Sequence, residues 1–142
     1  MPQKLITKAI AGKLISNWDK DGDITPPVAR IVSPVGGATW LLLCAKPEDP
    51  DIMFGLCDLG MGEPELGYVS LAELKAIRVP VRVRFGNENR KLGELPLERD
   101  LYFEATHPLM VYWQAAKDAG RIIEYPDKLK AAAAKLAESA GD

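Results

Sequence analysis

Two cysteines, one histidine, no excess of basic charge and no long apolar run set the first bounds on this 142-residue chain. Cys44 and Cys57 form no CxxC pair, and both lie in apolar runs, LLLC and FGLC. There a free thiol behaves as a small hydrophobe, not as half of a disulfide or a reactive group. A lone His107 excludes a His–His metal pair and leaves a Ser-His-Asp triad no other imidazole to use. It precedes Pro108 at an expected strand-to-helix junction, where a surface or capping role is commonest. Eighteen Lys and Arg against twenty Asp and Glu give a formal net charge of -2. That balance argues against a general nucleic-acid binder and gives no electrostatic reason for a membrane partner. No segment approaches about 20 uninterrupted apolar residues, so no membrane span is expected. The N-terminal stretch also lacks the apolar core of a signal peptide, and a reducing cytoplasm is the expected address.

Two further absences concern ligands. Neither GxGxxG nor GxxxxGK[ST] occurs, and Gly36-Gly37 precedes a strand and not a helix, so no nucleotide cofactor is implied. Gly55, Gly60, Gly62 and Gly67 read instead as turns and bulges. Asp19-Lys20-Asp21-Gly22-Asp23 resembles the start of a calcium loop, but its glycine comes early and Arg30 stands where the bidentate Glu belongs. A helix-terminating turn is the expectation there, with no metal site.

What is present is an average soluble composition, 47% apolar and 27% charged. A chain of this size buries roughly two-thirds of its unfolded surface and needs no disulfide or metal to fold. Thr7 can cap a first helix whose Ile10, Leu14 and Trp18 recur at fourfold spacing. Val28 to Val35 is a β-branched strand, and Thr39 to Ala45 (TWLLLCA) is a strand buried on both faces. KPEDPD, with two prolines and three acids, is a loop through which no strand is expected to run. Ile52–Leu59 and Leu66–Val69 complete an antiparallel meander. Ser70-Leu71-Ala72-Glu73 fits a capping box before a short helix with Leu71, Leu74 and Ile77 buried, which Pro80 should stop. Val79, Val81, Val83 and Phe85 alternate with Arg82 and Arg84 as in a half-exposed strand. Residues 86–95 read as a polar hairpin or mobile loop, and Leu97 to Phe103 (LERDLYF) as a strand.

Pro108 then opens a helix with Leu109, Tyr112, Trp113 and Ala116 on one face, ended by Gly120. Pro126 opens an Ala-rich helix whose thin stripe is Leu129, Ala133, Leu136 and Ala140. The expected fold is a single α+β domain over residues 1–125. It has a mostly antiparallel sheet of five to six strands, an N-terminal helix, a short central helix and C-terminal helices. Residues 126–142 form a tail that docks or frays.

Glu98-Arg99-Asp100 is the most pointed feature, three charges inside an apolar run. On a strand Glu98 and Asp100 share one face and Arg99 takes the other. They can protect an edge from aggregation, or Arg99 can fork onto a carboxylate such as Glu65 or Glu73. Glu98 and Asp100 as a paired carboxylate metal site are a weaker alternative. Arg82, Arg84, Arg90 and Lys91 are the residues that would meet nucleic acid, though Glu88 and Glu94 dilute their field.

The order LITKAIAGKL, TW, FGLCDLG, ELGYVSLAEL and LERDLYF resembles the domain of unknown function 2958 family. Its members are small bacterial proteins often encoded on plasmids and integrative conjugative elements. The resemblance covers about residues 4–104, and the stretch to Gly120-Arg121-Ile122 is similar to longer members. Trp40, Phe54-Gly55, Glu65-Leu66-Gly67-Tyr68, Glu73-Leu74 and Glu98-Arg99-Asp100 match the shared pattern. Cys44-Ala45-Lys46 departs from it where members carry an acidic residue, and the loop before Glu98 is longer and richer in Arg. The family carries no activity across; it implies a bacterial cytoplasm and a link to mobile DNA.

The leading expectation is a non-enzymatic protein-interaction domain without cofactor. Its surface would use Trp40, Glu65, Tyr68, Glu98, Arg99 and Asp100, since aromatics and Arg dominate interface hot spots. A metal-dependent hydrolase or nuclease using Glu65, Glu98 and Asp100 is the first alternative. A weak nucleic-acid-binding module is the second. Partner identity and oligomeric state stay open.

Overall fold

The computed structural model describes residues 4–140; Met1–Gln3 and the last two residues of the expected tail lie outside it. The order is α1 (Lys8–Ser16), β1 (Ala29–Val32), β2 (Thr39–Lys46), β3 (Asp49–Asp58), β4 (Glu65–Ser70), α2 (Leu71–Ala76), β5 (Arg78–Phe85), β6 (Glu88–Pro96), β7 (Glu98–Arg99), α3 (Leu109–Ala119) and α4 (Pro126–Ala140). The fold is α+β. Five antiparallel strands lie in the order β4-β3-β2-β1-β7, and β5 and β6 form a separate two-stranded ribbon.

The sheet is covered on both faces, which is why TWLLLCA is apolar without alternation. Trp40, Leu42 and Ala45 of β2 join Ile31, Met53, Leu14 and Leu74 beneath α1 and α2. Leu41, Leu43 and Cys44 join Leu56, Leu109, Tyr112, Ala116 and Leu129 beneath α3 and α4. Burying each such side chain contributes on the order of 2 kcal/mol, so the strand between two helical layers anchors the fold. Cys44 is buried on the α3 and α4 side, while Cys57 packs against the opposite cluster. Both thiols are free; burial raises Cys44 and pushes Cys57 up to about 11, with Glu65 adding to the second shift.

Local rules explain most of the elements. Thr7 Oγ1 accepts the Ile10 N–H at 3.2 Å and starts α1. Gly120, at φ 77°, ends α3 in the left-handed conformation. Asp21 Oδ1 accepts the Asp23 N–H at 2.8 Å, so the acidic cluster after α1 is a turn.

Five sequence expectations need correction. The first strand is shorter than expected and stops at Val32. KPEDPD is not a loop: Lys46 pairs with Asp49 across a two-residue turn, and Pro50 lies within β3. The register there slips between Ala45 and Lys46, and at such an irregularity a missing N–H costs the ladder nothing. Pro80 stops no helix; α2 ends at Ala76, and Pro80 lies within β5 opposite Glu94. Trp18 falls beyond α1, so it packs on the α3 side while Ile10 and Leu14 pack on the other. LERDLYF shrinks to the two residues of β7, because Asp100 Oδ1 accepts the Tyr102 N–H at 2.9 Å and turns the chain.

Candidate interaction surface

β7 lies at one edge of the sheet and pairs with β1 through Ile31↔Arg99 and Val32↔Glu98. The alternation holds: Arg99 lies on the face of Ile31, and Glu98 on the opposite one. Arg99 Nη1 donates to the backbone carbonyls of Lys4 and Leu5, the latter at 2.9 Å, and so ties the incoming chain to the edge strand. These carbonyl contacts are a role that neither edge protection nor a fork onto Glu65 or Glu73, the two alternatives read from the sequence, had included.

Asp100 turns to the other side. Its backbone N–H donates to the Arg30 carbonyl at 2.9 Å, and its Oδ2 accepts from Arg30 Nη1 at 3.1 Å. Arg30 Nε also lies 3.0 Å from Glu124 Oε2, just before α4. Burial raises the Glu124 carboxyl above its ordinary range; Arg30 opposes the rise and Asp100 adds to it. Arg30, Asp100 and Glu124 therefore clamp the β1–β7 edge to the start of the last helix. Sequence reasoning used Arg30 only to reject a calcium loop and passed over Glu124, because both pairings close across long stretches of chain.

An open groove of ≈ 880 Å³ runs along this edge, with Glu98, Arg99 and Asp100 in its wall. Leu5, Leu74 and Leu97, all largely buried, contribute its apolar lining. Leu101 and Tyr102 stand on the rim, 64% and 91% exposed. These two adjacent side chains set exposed apolar surface beside the groove's apolar lining. The signal was present in the sequence: an Asp followed by Leu-Tyr, where the Asp turns the chain and leaves the next side chains outside.

The other expected surface residues do not join them. Trp40 is 4% exposed and belongs to the core under α1. Tyr68 is 68% exposed but lies on β4, the far edge of the sheet, with Phe54 and Trp18 at ring-centroid distances of 5.1 and 6.5 Å. Glu65 begins that same strand. Four strand spacings, roughly 19 Å, separate β4 from β7, so Glu65 cannot share a metal ion with Glu98 and Asp100. Among the described residues no group of three His, Cys, Asp or Glu could hold a metal ion. His107 Nδ1 lies 2.8 Å from Thr106 Oγ1, and its ring stands edge-on to Tyr112.

Two polar residues that sequence reasoning passed over hold the scaffold. Asn17 Nδ2 donates to the Leu43 carbonyl at 3.0 Å, and Leu43 is the residue bulged out of the β2–β3 ladder. Asp58, 2% exposed, accepts the Gly60 and Ile122 N–H groups and joins the end of β3 to the α3–α4 connection.

No helix of the described residues is long and apolar enough to cross a membrane. The family model described as a protein of unknown function (DUF2958) matches residues 3–123, and the chain belongs to that family. No curated protein and no solved structure matches the chain.

Proposed function

We propose that the chain is a non-enzymatic protein-interaction domain that receives its partner along the β7 edge, in a bacterial cytoplasm and in the service of mobile DNA. The observation that carries the reading is the groove beside β7 with Leu101 and Tyr102 standing free on its rim. An apolar floor, an exposed tyrosine and an arginine make the composition of a hot spot. An edge strand also offers backbone groups to an added strand. The wider setting rests on the family resemblance read from the sequence. A carboxylate metal hydrolase is disfavoured by the separation of Glu65 from Glu98 and Asp100 across the sheet.

Arg99→Ala would disturb the Lys4–Leu5 tether as well as the surface, so Leu101→Ser with Tyr102→Ala is the cleaner probe. Intact and doubly substituted chains are used for affinity capture from a bacterial lysate, and the captured protein is then purified and titrated calorimetrically. The expected outcome is a stoichiometric protein partner whose affinity falls at least tenfold, with the melting temperature unchanged. Equal binding by both chains, or no stoichiometric protein at all, overturns the reading.

A further inference from the structure

The β5–β6 ribbon stands apart from the five-stranded sheet, and only its base, Arg78 and Pro96, reaches the groove. Its strands pack on each other and on little else, and every residue of β6 is exposed. Nine residues at about 3.4 Å each make an arm roughly 30 Å long. The arm is charged unlike the rest: residues 78–96 hold five basic and two acidic residues, while the remaining chain holds thirteen basic and eighteen acidic.

Register sorts those charges. Val79, Val81, Val83 and Phe85 take one face, with Arg90 paired to Val83 across the ribbon. Arg90 is stacked over Phe85, 5.4 Å from the ring centroid, and neutralised by Glu88 at 2.6 Å. Arg78, Arg82 and Arg84 take the other face. Arg82 stands directly opposite Lys91, a like-charge pairing that costs stability in the isolated chain. Lys91 is paired with Glu94. Arg78 and Arg84 donate to backbone carbonyls, of Lys75 and Ile77 and of Gly86, which leaves their charge in place. Glu94, opposite Pro80 on this face, feels the charge of Arg78 but is bonded to Lys91; among the described residues no carboxylate lies within ion-pair distance of Arg78, Arg82 or Arg84.

We propose that this arginine face is a site for duplex DNA, with the ribbon entering the major groove. That groove, about 12 Å wide, admits a two-stranded β-ribbon. Guanidinium groups suit phosphate oxygens because the planar fork can donate two bonds at once. A single strand would call for aromatic platforms beside the cations, and the ribbon's one aromatic, Phe85, lies on the opposite face beneath Arg90. The acidic remainder of the chain repels the duplex and directs contact to the arm. The site meets the β7 groove only at Arg78; Arg82 and Arg84 lie outside the groove, so their contact with the duplex stands whether or not a protein binds there.

Fluorescence anisotropy of the full chain with a labelled DNA duplex, the matching single strand and poly-glutamate tests the assignment. Three phosphate contacts predict a salt slope of about -2.7, an affinity loss of about 40-fold between about 50 and 200 mM salt. Arg82→Ala with Arg84→Ala should reduce that loss to about fourfold, and the corresponding Lys pair should restore the slope. Circular dichroism confirms that each variant is folded. Tighter or equal binding of the single strand overturns the proposal. So does binding of poly-glutamate in place of the duplex, which would mark an acidic protein partner. Absence of duplex binding at low salt, or a slope unmoved by the Ala pair, overturns it equally.

Discussion

Gly55 shows how much one missing side chain can decide. It faces the bulge at Leu43, and a Cβ built there would lie 2.1 Å from the Leu41 carbonyl oxygen and 2.9 Å from Leu42 Cα. Backbone cannot retreat from such contacts as a flexible side chain can. Its cross-strand partner Gly67 has nothing within 4 Å of the same position. Gly55→Ala should therefore cost about 3 kcal/mol or more, whereas Gly67→Ala should stay within about 1 kcal/mol. Urea unfolding midpoints of the two variants give the comparison. From the sequence alone, both Gly55 and Gly67 fall among turns and bulges; the bulged residue is Leu43 of the facing strand, and only that strand's position singles out Gly55 from Gly67. Asn17 makes the same point from the polar side. Its amide meets the carbonyl that the bulge displaces, a partner 26 residues away.

The short helix α2 is the clearest case at the level of an element. Ser70 Oγ accepts the Glu73 N–H at 3.3 Å, as the Ser-x-x-Glu pattern requires. The acid that completes the cap is Asp51 of β3, which accepts from Ser70 Oγ at 2.6 Å and from the Ala72 N–H at 2.8 Å. These bonds, with a smaller pull from Lys75, hold the Asp51 carboxyl below its ordinary range. A lowered folded pKa contributes stability that is present above the unfolded value and lost as pH falls through the folded one. Asp51→Asn should thus lower the melting temperature at neutral pH, and the gap to the parent should close on acidification below pH ~4. A gap that stayed constant with pH would mean that shape, not charge, makes the cap. The strand expected over LERDLYF failed for a related reason: Asp100 offers a local hydrogen bond that competes with the ladder and turns the chain.

At the scale of the molecule, the Ala-rich tail is a structural layer. Leu129 is 2% exposed within the cluster that includes Tyr112 and Ala116 of α3, and Arg30–Glu124 ties its approach to the sheet. Leu129→Ala should destabilise the whole chain by roughly 2–5 kcal/mol in one cooperative transition. Loss of helix signal in a separate early step would show a tail that melts alone. The family followed from a resemblance of ordered motifs, and residues 86–95 read equally as a hairpin or a mobile loop. The α+β class, the doubly buried β2 and the caps of α1 and α2 followed from periodicity and local chemistry, because those signals lie between near neighbours in the chain. The surfaces did not. Trp40 and Tyr68 are both aromatics on strands, yet one is sealed beneath α1 and the other stands at a sheet edge. Glu65 and Asp100 are both carboxylates in shared motifs, yet strand order sets them at opposite edges. Burial and proximity depend on which layer covers which face and on which strands become neighbours, so only the tertiary structure could bring Leu101, Tyr102 and Arg99 to one groove and set Arg78, Arg82 and Arg84 along a separate arm.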